Sequence, residues 1–359
     1  MHRLDGKLPL YQQIKDYFVD KIENEEIMTG ELLPSENQIS KDFDVSRHTV
    51  RQAFSMLENE GYIKREQGRG TVCLGKKEAR SNKTIAVLTT YISDYIFPYI
   101  INGIEEVLSS KGYTLNLSGT NESSEKEAQF LQKFIDQNVS GIIVEPTQSA
   151  IDNPNLGYFE EMEQQNIKYI MIHATYSDLD PAFVIMDDQK GGYLATNYLI
   201  QLGHRDIAGI FKSDDIQGIE RQKGFLKALK DSNITPTDNF IGNYVTENMD
   251  YFPYQFTRHI INTGKPTAIV CYNDQIALRV IDAIKDSGLR IPENISVVGY
   301  DDSSLATASD VKLTTINHPK KEMGKQVANF LLDMLGKNNY KPQHVYEPEL
   351  IVRTSCKSI

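Results

Sequence analysis

The first residues with an evident chemistry are Arg47, His48 and Arg51, which lie within the segment VSRHTVRQAF. A helix over this segment has one apolar face at i, i+3, i+4 and i+7 spacing, formed by Val50, Ala53, Phe54 and Leu57. The basic side chains fall outside that face. Arg47 and Arg51 are i,i+4 neighbours, so both can meet phosphates or guanine edges from one helix surface. A lone Arg pair is more typical of a solvated helix face than of a DNA-binding one. The elements next to the helix therefore decide between these two interpretations.

The segment before this helix predicts a second helix and a turn. Pro34 ends whatever precedes it, and Ser35 with Gln38 three residues later is typical of a capping box. We therefore expect a helix over about 36–43. Asp44-Val45-Ser46 then forms the turn, with Ser46 as the N-cap of the Arg-bearing helix.

A basic hairpin is predicted after the Arg-bearing helix, and an amphipathic helix before the whole arrangement. Gly61 ends the helix, and residues 62–65 and 71–74 have the pattern of two short strands. Their tip is Gln67-Gly68-Arg69-Gly70, whose glycines permit a close approach to a backbone. Upstream, the predicted packing stripe of a first helix consists of Leu10, Ile14, Tyr17, Phe18 and Ile22.

Residues 9–73 resemble the winged helix-turn-helix head of the GntR family. The matching pieces are PLYQQIKDYF, LPSENQIS, VSRHTVRQAF, LENEGYI and QGRGTVC. The resemblance implies that the third helix enters the major groove of DNA and that the wing tip probes the minor groove. It places the DNA-contacting positions on Ser35, Glu36, Arg47, His48, Thr49, Arg51, Gln67, Gly68, Arg69 and Gly70.

Charge and composition fit a DNA-binding head on an acidic body. The chain of 359 residues has a formal net charge of −11, although residues 47–80 carry more basic than acidic side chains. This excludes a general binder of polyanions and predicts DNA binding that weakens steeply with salt. There is no apolar signal segment and no run long enough for a membrane span, so a cytoplasmic location is expected. Cys73, Cys271 and Cys356 are far apart and odd in number, which predicts free thiols and no metal site.

The remainder of the chain alternates strands and helices. A polar segment over 75–83 is predicted to link residues 1–74 to a body over 84–359. β-rich runs cover 84–90, 114–118, 141–145, 168–173, 183–186, 206–212, 267–272 and 295–300. Helical patterns cover 97–110, 125–137, 156–165, 190–202, 217–230, 251–261, 274–286 and 320–335. This order predicts an α/β fold with parallel sheets covered on both faces.

Polar and aromatic side chains collect at the predicted carboxyl ends of these strands, where such folds bind ligands. They are Tyr95, Phe97, Glu145, His173, Asp214, Asp215, Arg221, Asn273, Asp274, Asp301 and Asp302. Carboxylates and amides fix hydroxyl groups, an Arg spans two oxygens, and aromatic faces cover C–H surfaces, which together suit a monosaccharide.

Taken singly, each of these residues has a structural explanation. Asn273 and Asp302 are also explained as N-caps of the helices that follow them. His173 is also explained as a buried core histidine, and the two aromatic residues as core. Their occurrence as a set at several strand ends is what favours a binding site.

The body, from about 83 to 354, resembles the effector domain of LacI/GalR-type repressors, which shares its fold with periplasmic sugar-binding proteins. The matching pieces are NGIEEVLSSKGY, GIIV, KGGYLATNYLIQLGHRDIAGI, ERQKGFLKAL, PTAIVCYNDQIAL, GLRIPENISVVGYDDS and KLTTINHP. The resemblance implies sugar contacts by Tyr95, Phe97, Glu145, His173, Arg221, Asn273 and Asp301. The chain departs from many members at His173 and Glu145, where they carry Asp or Asn.

The same resemblance implies two lobes that are discontinuous in sequence. Lobe one is expected over 84–186 and 317–344, and lobe two over 188–315 and 346–359. Three crossings, near Asp187, Ile316 and Val345, would form the hinge. A sugar bound between the lobes would favour their closure, because only the closed form contacts it from both sides.

A GntR-type head on a LacI-type body is the arrangement of bacterial arabinose-responsive repressors, and segments such as VEPTQSAIDNPNLGY and GIFKSDDIQGI strengthen that resemblance. It implies a homodimer, joined through the body, on a near-palindromic operator, released by L-arabinose. Another pentose or hexose, a corepressor role, or activation remains open. A transport receptor and a sugar-processing enzyme are the other classes. A transport receptor is disfavoured because the sequence shows no signal peptide. An enzyme is disfavoured because the sequence contains no nucleophile-elbow, phosphate-loop, dinucleotide or metal motif.

Overall fold

The computed structural model describes residues 9–24, 26–59, 61–66, 70–75, 83–308, 310–337 and 340–359. Contacts divide the chain into two compact units, residues 1–82 and 83–359. Within the described ranges, no helix has the length and apolar character needed to cross a membrane. The predicted linker over 75–83 lies mostly outside the described residues, so its boundaries stay a prediction.

The first unit consists of three helices and a two-stranded hairpin. The helices are α1 (Leu10–Glu23), α2 (Glu36–Asp42) and α3 (Arg47–Asn59), and the antiparallel strands are β1 (Ile63–Glu66) and β2 (Gly70–Cys73). The core contains the predicted apolar faces of α1 and α3, among them Ile14, Phe18, Ile22, Val50, Ala53, Phe54 and Leu57. Leu10 is the exception to the predicted stripe. It is 47% exposed, at the first position of α1.

The predicted caps of α2 and α3 are present, but the capping box is only half formed. Ser35 Oγ accepts the Gln38 N–H at 3.2 Å, and Ser46 Oγ accepts the Thr49 N–H at 3.1 Å. The Gln38 side chain donates to Asp42 Oδ1 at 2.8 Å, one turn further along α2, rather than back to the cap. The wing tip at Gln67, Gly68 and Arg69 lies outside the described residues.

The second unit is built on two six-stranded sheets flanked by helices. Its strands are β3 (Thr84–Thr89), β4 (Thr114–Gly119), β5 (Gly141–Val144), β6 (Lys168–Ile172), β7 (Ala182–Met186), β8 (Ile207–Lys212), β9 (Ile241–Tyr244), β10 (Ala268–Cys271), β11 (Ser296–Asp301), β12 (Thr314–Asn317), β13 (Gln343–Tyr346) and β14 (Glu349–Ile351). Its α-helices are α4 (Phe97–Ser110), α5 (Ser124–Asp136), α6 (Leu156–Gln164), α7 (Asp188–Gln201), α8 (Ile216–Asp231), α9 (Phe252–Thr263), α10 (Asp274–Asp286), α11 (Leu305–Ala308) and α12 (Lys320–Gly336).

Each sheet forms the centre of one lobe. Lobe one has the strand order β13-β7-β6-β5-β3-β4, and lobe two has the order β14-β12-β11-β10-β8-β9. All neighbouring strands are parallel except β14, which runs antiparallel to β12 at the sheet edge. Central strands such as β5, β8 and β10 are buried along their whole length, as expected for strands covered by helices on both faces. The predicted α/β class is confirmed.

The chain crosses between the lobes three times. The first crossing lies between β7 and α7, around Asp187. The second and third lie slightly later than predicted, because β12 continues to Asn317 in lobe two and β13 to Tyr346 in lobe one. After the second crossing the chain adds β13 to the sheet of lobe one, and after the third it adds β14 to the sheet of lobe two.

Candidate functional site

A cavity of about 300 Å³ lies between the carboxyl ends of the two sheets. All seven residues predicted to contact a sugar line it: Tyr95, Phe97, Glu145, His173, Arg221, Asn273 and Asp301. Asp215, which the strand-end pattern had also indicated, lines the cavity too, and the lining residues that the prediction missed include Glu122, Lys212, Tyr272 and Gln275. The volume is at the lower end of the usual range for ligand pockets, which suits a small molecule.

Lobe one contributes a buried carboxylate–imidazole pair. Glu145 follows β5, and its Oε2 accepts hydrogen bonds from the N–H and hydroxyl of Thr90, both at 2.7 Å. Its Oε1 lies 2.8 Å from Nδ1 of His173, which follows β6. The neighbouring β3, β5 and β6 therefore bring these three residues together at one sheet edge. A carboxylate with these partners holds the imidazole in one orientation.

The other nitrogen of His173 has no partner in the described part of the chain. His173 Nε2 is buried, and both ring nitrogens of the adjacent His318 are in the same condition. The centroids of the two rings lie 5.1 Å apart, and the rings pack edge to face. Burial, with His173 as the next cause, holds the pKa of His318 well below its ordinary value, so that ring is neutral. Because an unsatisfied buried polar atom is costly, His173 Nε2 is an atom whose hydrogen-bonding capacity the described residues leave unused.

Lobe two contributes Arg221, which we expected to span two ligand oxygens but whose guanidinium already has partners within the protein. Its Nε donates to Asp188 Oδ1 at 2.8 Å and one Nη donates to the carbonyl of Tyr272 at 2.8 Å. Its guanidinium carbon lies 3.6 Å from the centre of the Tyr300 ring. Burial raises the pKa of Asp188 to about 6, although the charge of Arg221 opposes that shift. The second Nη lies 3.8 Å from Asp301 Oδ1, an ion-pair distance that is too long for a hydrogen bond.

Asn273 combines a structural role with a place in the cavity. Its Oδ1 accepts the Ile276 N–H at 2.9 Å and so caps α10, as the structural explanation predicted. Asn273 nevertheless lines the cavity. Asp302 does not cap the next helix, since the N–H of Leu305, the first residue of α11, is accepted by Ser303 Oγ, and Asp302 Oδ1 instead accepts from Arg353 at 2.6 Å. Phe97 also has both roles, since it belongs to the lobe-one core and lies 6.1 Å from the His173 ring.

Tyr95 and Asp301 join the two lobes across the cavity. The Tyr95 hydroxyl donates to Asp301 Oδ2 at 2.6 Å and accepts the Asp274 N–H at 3.1 Å. Both residues are in the left-handed backbone region, Tyr95 at φ +58° and Asp301 at φ +93°. Such conformations cost energy and persist only where surrounding contacts hold them, which is common at binding sites.

A second contact between the lobes involves Lys212, at the end of β8. Its Nζ lies 2.7 Å from Glu122 Oε1 of lobe one, and 3.8 Å from carboxylate oxygens of both Asp214 and Asp215. Burial disfavours its charge, but the surrounding carboxylates outweigh that effect and raise the pKa of Lys212. The strand-end rule that selected Arg221 and Asp301 would also have selected Lys212, whereas its pairing with Glu122 exists only in the folded arrangement.

The arrangement can bind a small, uncharged, hydroxyl-rich molecule. It offers carboxylate acceptors, Nη of Arg221, the imidazole of His173 and the rings of Phe97 and Tyr272 within one cavity. Across the ranges that the structure describes, no cluster of His, Cys, Asp or Glu has the geometry to hold a metal ion.

The first unit presents the predicted DNA-contacting residues on the surface of α2 and α3. Ser35, Arg47, His48 and Arg51 are exposed. Arg51 Nη2 lies 3.3 Å from Glu36 Oε2, so Glu36 orients Arg51. The Thr49 hydroxyl lies 2.8 Å from Ser46 Oγ, which occupies part of its hydrogen-bonding capacity. Gly70 begins β2, at φ +115°.

Comparisons with known proteins agree with this division. Residues 10–73 match the model of bacterial regulatory proteins of the gntR family, and residues 196–356 match a periplasmic binding protein-like domain. The arabinose metabolism transcriptional repressor of Geobacillus stearothermophilus is 44% identical, covering 98% of this chain and 99% of the relative. That of Halalkalibacterium halodurans is 43% identical over 96% of both.

Solved structures share the fold of the body. A LacI family transcriptional regulator from Enterococcus faecium, solved with bound ribose, superimposes with a TM-score of 0.66 at 24% identity. The match covers 77% of this chain and 99% of that one. At this identity the likeness shows the fold alone.

Fold and site together define a two-part transcription regulator, with a winged helix-turn-helix head and a two-lobed ligand-binding body. The relatives that match along the full length identify a narrower family within this class. The chain belongs to the family of arabinose metabolism transcriptional repressors, and it is a DNA-binding repressor rather than an enzyme.

Proposed function

We propose that this repressor binds L-arabinose in the interlobe cavity and is thereby released from an operator that controls sugar-utilisation genes. The observation that carries the proposal is a cavity lined by both lobes, in a chain 44% identical along its whole length to an arabinose metabolism repressor. The donors and acceptors of the cavity match the hydroxyls of a monosaccharide, and its volume suits a pentose.

The proposed contacts come from both sides of the cavity. Glu145 and His173 of lobe one meet hydroxyls on one side of the sugar. Arg221, Asn273 and Asp301 of lobe two meet hydroxyls on the other side, and Phe97 covers a C–H face. Contacts from both lobes exist only when the lobes are together, so the bound sugar favours closure.

On the DNA side, we propose that two copies of the chain pair through their bodies and place two heads on the half-sites of a near-palindromic operator. Helix α3 would enter the major groove with Arg47, His48 and Arg51. Closure around the sugar would change the relation between the two copies, so that the heads no longer match the spacing of the half-sites.

The test uses the full-length protein and a matched pair of ligands. Thermal-shift and isothermal titration measurements compare L-arabinose with its mirror image D-arabinose, and with D-xylose, D-ribose and D-galactose. We expect L-arabinose to raise the melting temperature most, since a ligand that binds only the native form stabilises it by mass action. Operator DNA, selected from a random duplex pool, should then be released by L-arabinose in a gel-shift assay. Preference for another sugar would refute L-arabinose as effector, and tighter operator binding with it would reverse the sign of regulation.

A further inference from the structure

The junction between the lobes concentrates negative charge beside the cavity. Lobe two carries Asp214 and Asp215, which begin two residues after the end of β8. Lobe one adds Glu122, from the turn after β4, with its side chain 11% exposed. Bringing the lobes together therefore collects three carboxylates in a region with little water, where like charges oppose one another strongly.

The hydrogen bonds that Asp214 and Asp215 accept within lobe two do not balance this negative charge. Asp214 Oδ2 accepts from the N–H and hydroxyl of Thr246 at 2.9 and 2.7 Å. Asp215 Oδ1 caps α8 through the Gln217 N–H, and its Oδ2 accepts from the Tyr272 hydroxyl at 2.8 Å. These neutral donors hold both carboxylates in place within lobe two. They add no positive charge.

Lys212 supplies the positive charge at this point. Its Nζ contacts Glu122 of lobe one at 2.7 Å and lies 3.8 Å from both aspartates of lobe two. Its backbone is fixed by close packing, because a Cβ on Gly218 of α8 would lie 2.1 Å from the Lys212 carbonyl oxygen. Lobe two thus presents a positioned cation to the carboxylate of lobe one.

Two backbone amides close to this cluster report directly on whether the lobes are together. The Ala150 N–H donates to the Asp214 carbonyl at 3.3 Å, and the Ile216 N–H donates to Ser149 Oγ at 3.0 Å. Both bonds run from one lobe to the other. Ile216 opens α8, where an amide has no partner within the helix. Separation of the lobes would therefore expose both amides to exchange with solvent.

We infer that Lys212 is the counter-ion that permits lobe closure, and that it sets the affinity for the sugar through closure rather than by touching the sugar. The inference rests on the proposed function for its effect on induction, but not for its effect on closure. Lys212 is in this sense a positioning residue. Without it, closure buries Glu122 against two other carboxylates. With it, the burial of Glu122 is compensated by an ion pair.

The experiment compares Lys212→Met, Lys212→Arg, Glu122→Gln and the double variant Lys212→Met/Glu122→Gln in the full-length protein. Lys341→Met is the matched control, because Lys341 pairs with Asp180 on an exposed surface. L-Arabinose affinity is measured by titration calorimetry. Hydrogen exchange of the Ala150 and Ile216 amides is measured with and without L-arabinose.

Lys212→Met should lower sugar affinity on the order of 100-fold, as expected when one partner of a buried pair is removed. The same change should speed exchange at Ala150 and Ile216. Lys212→Arg should retain most affinity, and adding Glu122→Gln to Lys212→Met should recover roughly 10-fold, since one of the three clustered carboxylates is then neutral. Lys341→Met should match the wild type in both measurements.

Two results would overturn the inference. The first is a loss of affinity in Lys212→Met with unchanged amide exchange and no recovery in the double variant, which would make Lys212 a direct sugar contact. The second is equal exchange in wild type and Lys212→Met in every state. If the wild type fails to bind L-arabinose, the proposed effector is wrong, while the exchange measured without sugar still decides the role of Lys212.

Discussion

At the scale of single residues, the interlobe region holds acids whose ionised form is disfavoured. Asp274 is fully buried, and burial, with Asp301 as the next cause, raises its pKa to about 7. Its oxygens accept from the Thr315 hydroxyl at 2.7 Å and from the N–H and hydroxyl of Ser303 at 2.7 and 2.9 Å. Between about pH 4 and 7 the folded protein therefore keeps a proton on Asp274 that the unfolded chain has released.

This difference gives a pH dependence with a definite sign. A raised pKa in the folded state lowers the free energy of unfolding as the pH rises from about 4 through 7. Asp274→Asn stays neutral, and its amide can still accept from Ser303 and donate to the Thr315 oxygen. We expect the variant to be more stable than the wild type at pH 8, by at most about 4 kcal/mol. The advantage should disappear towards pH 4.

The measurement is a series of urea unfolding curves from pH 4 to 8 for wild type and Asp274→Asn. The control is Asp178→Asn, at an exposed position in a loop. A difference between Asp274→Asn and wild type that stays constant across the pH range would show that Asp274 does not titrate in this window.

Tyr95 allows a second test on one residue, because its hydroxyl can be removed while its ring stays in place. Tyr95→Phe loses the bond to Asp301 and the acceptor for the Asp274 N–H. A hydrogen bond to a charged group is worth about 1.5–3 kcal/mol, so L-arabinose affinity should fall at least about 10-fold. Operator affinity without sugar should not change. Titration calorimetry and gel shift measure the two quantities, and Tyr99→Phe, exposed on α4, is the matched control.

The sequence located the lining of the cavity better than its bonds. Strand ends pointed to all seven predicted residues, because parallel strands deliver their carboxyl ends to one edge. The pair Tyr95–Asp301, however, joins residues far apart in the chain, and nothing local indicates it. The ion pair between Arg221 and Asp188 could not be predicted from the sequence either, since it depends on the packing of α7 against α8. The role of the seven predicted residues as sugar contacts stays a prediction.

At the scale of elements, the crossing of α4 and α12 in lobe one depends on two glycines. A Cβ on Gly103 would lie 2.2 Å from the Lys321 carbonyl oxygen, and one on Gly324 would lie 2.2 Å from the Ile100 carbonyl oxygen. The helices therefore touch backbone to backbone. This contact positions the start of α4, which follows Tyr95 and carries Phe97 into the cavity.

Gly324→Ala should force the two helices apart and destabilise the second unit by roughly 1–3 kcal/mol, the usual cost of overpacking. Gly336→Ala, at the end of the same helix, meets nothing within 4 Å and should be neutral or slightly stabilising. Thermal melting followed by circular dichroism compares the two variants. Equal melting temperatures of the two variants would show that α4 and α12 can move apart without loss of stability.

On the head, α3 carries the exposed cation whose removal should separate DNA binding from sugar binding. The Arg51 side chain is 64% exposed and its pair with Glu36 is on the surface, so its loss should barely affect stability. Arg51→Ala should weaken operator binding by about 1–3 kcal/mol and leave L-arabinose affinity unchanged. Gel shift at several salt concentrations measures this. Arg279→Ala, on α10 of the body, is the control, and an equal loss in both variants would contradict the assignment.

The boundaries of most elements followed from the sequence more easily than the short strands at or next to a sheet edge did. Predicted helices and strands agree with the structure to within two residues at each end, because apolar periodicity and caps mark them locally. β9 and β12 were missed as strands. Each is only four residues long, and each is stabilised by its sheet neighbour rather than by its own composition. The division of residues 343–351 between two sheets likewise depends on pairing with β7 and β12.

At the scale of the whole molecule, a sugar site and a DNA site in separate units have to communicate through one equilibrium. If L-arabinose lowers operator affinity by some factor, operator must lower L-arabinose affinity by the same factor. Coupling free energies of about 1–3 kcal/mol are typical, so the factor should lie between roughly 5 and 150. Titration calorimetry of L-arabinose, with the repressor free or saturated with operator, measures it from one side, and gel shift with and without sugar measures it from the other.

Agreement of the two factors would establish a single linked equilibrium between the sites. A duplex of the same length and composition but scrambled sequence is the control, and it should leave L-arabinose affinity unchanged. Identical L-arabinose affinity with and without operator would reject the switch, even if both ligands bind. Variants at Lys212 sharpen this result: a repressor that closes poorly should bind operator normally and lose its response to sugar, because closure is the step that the two ligands contest.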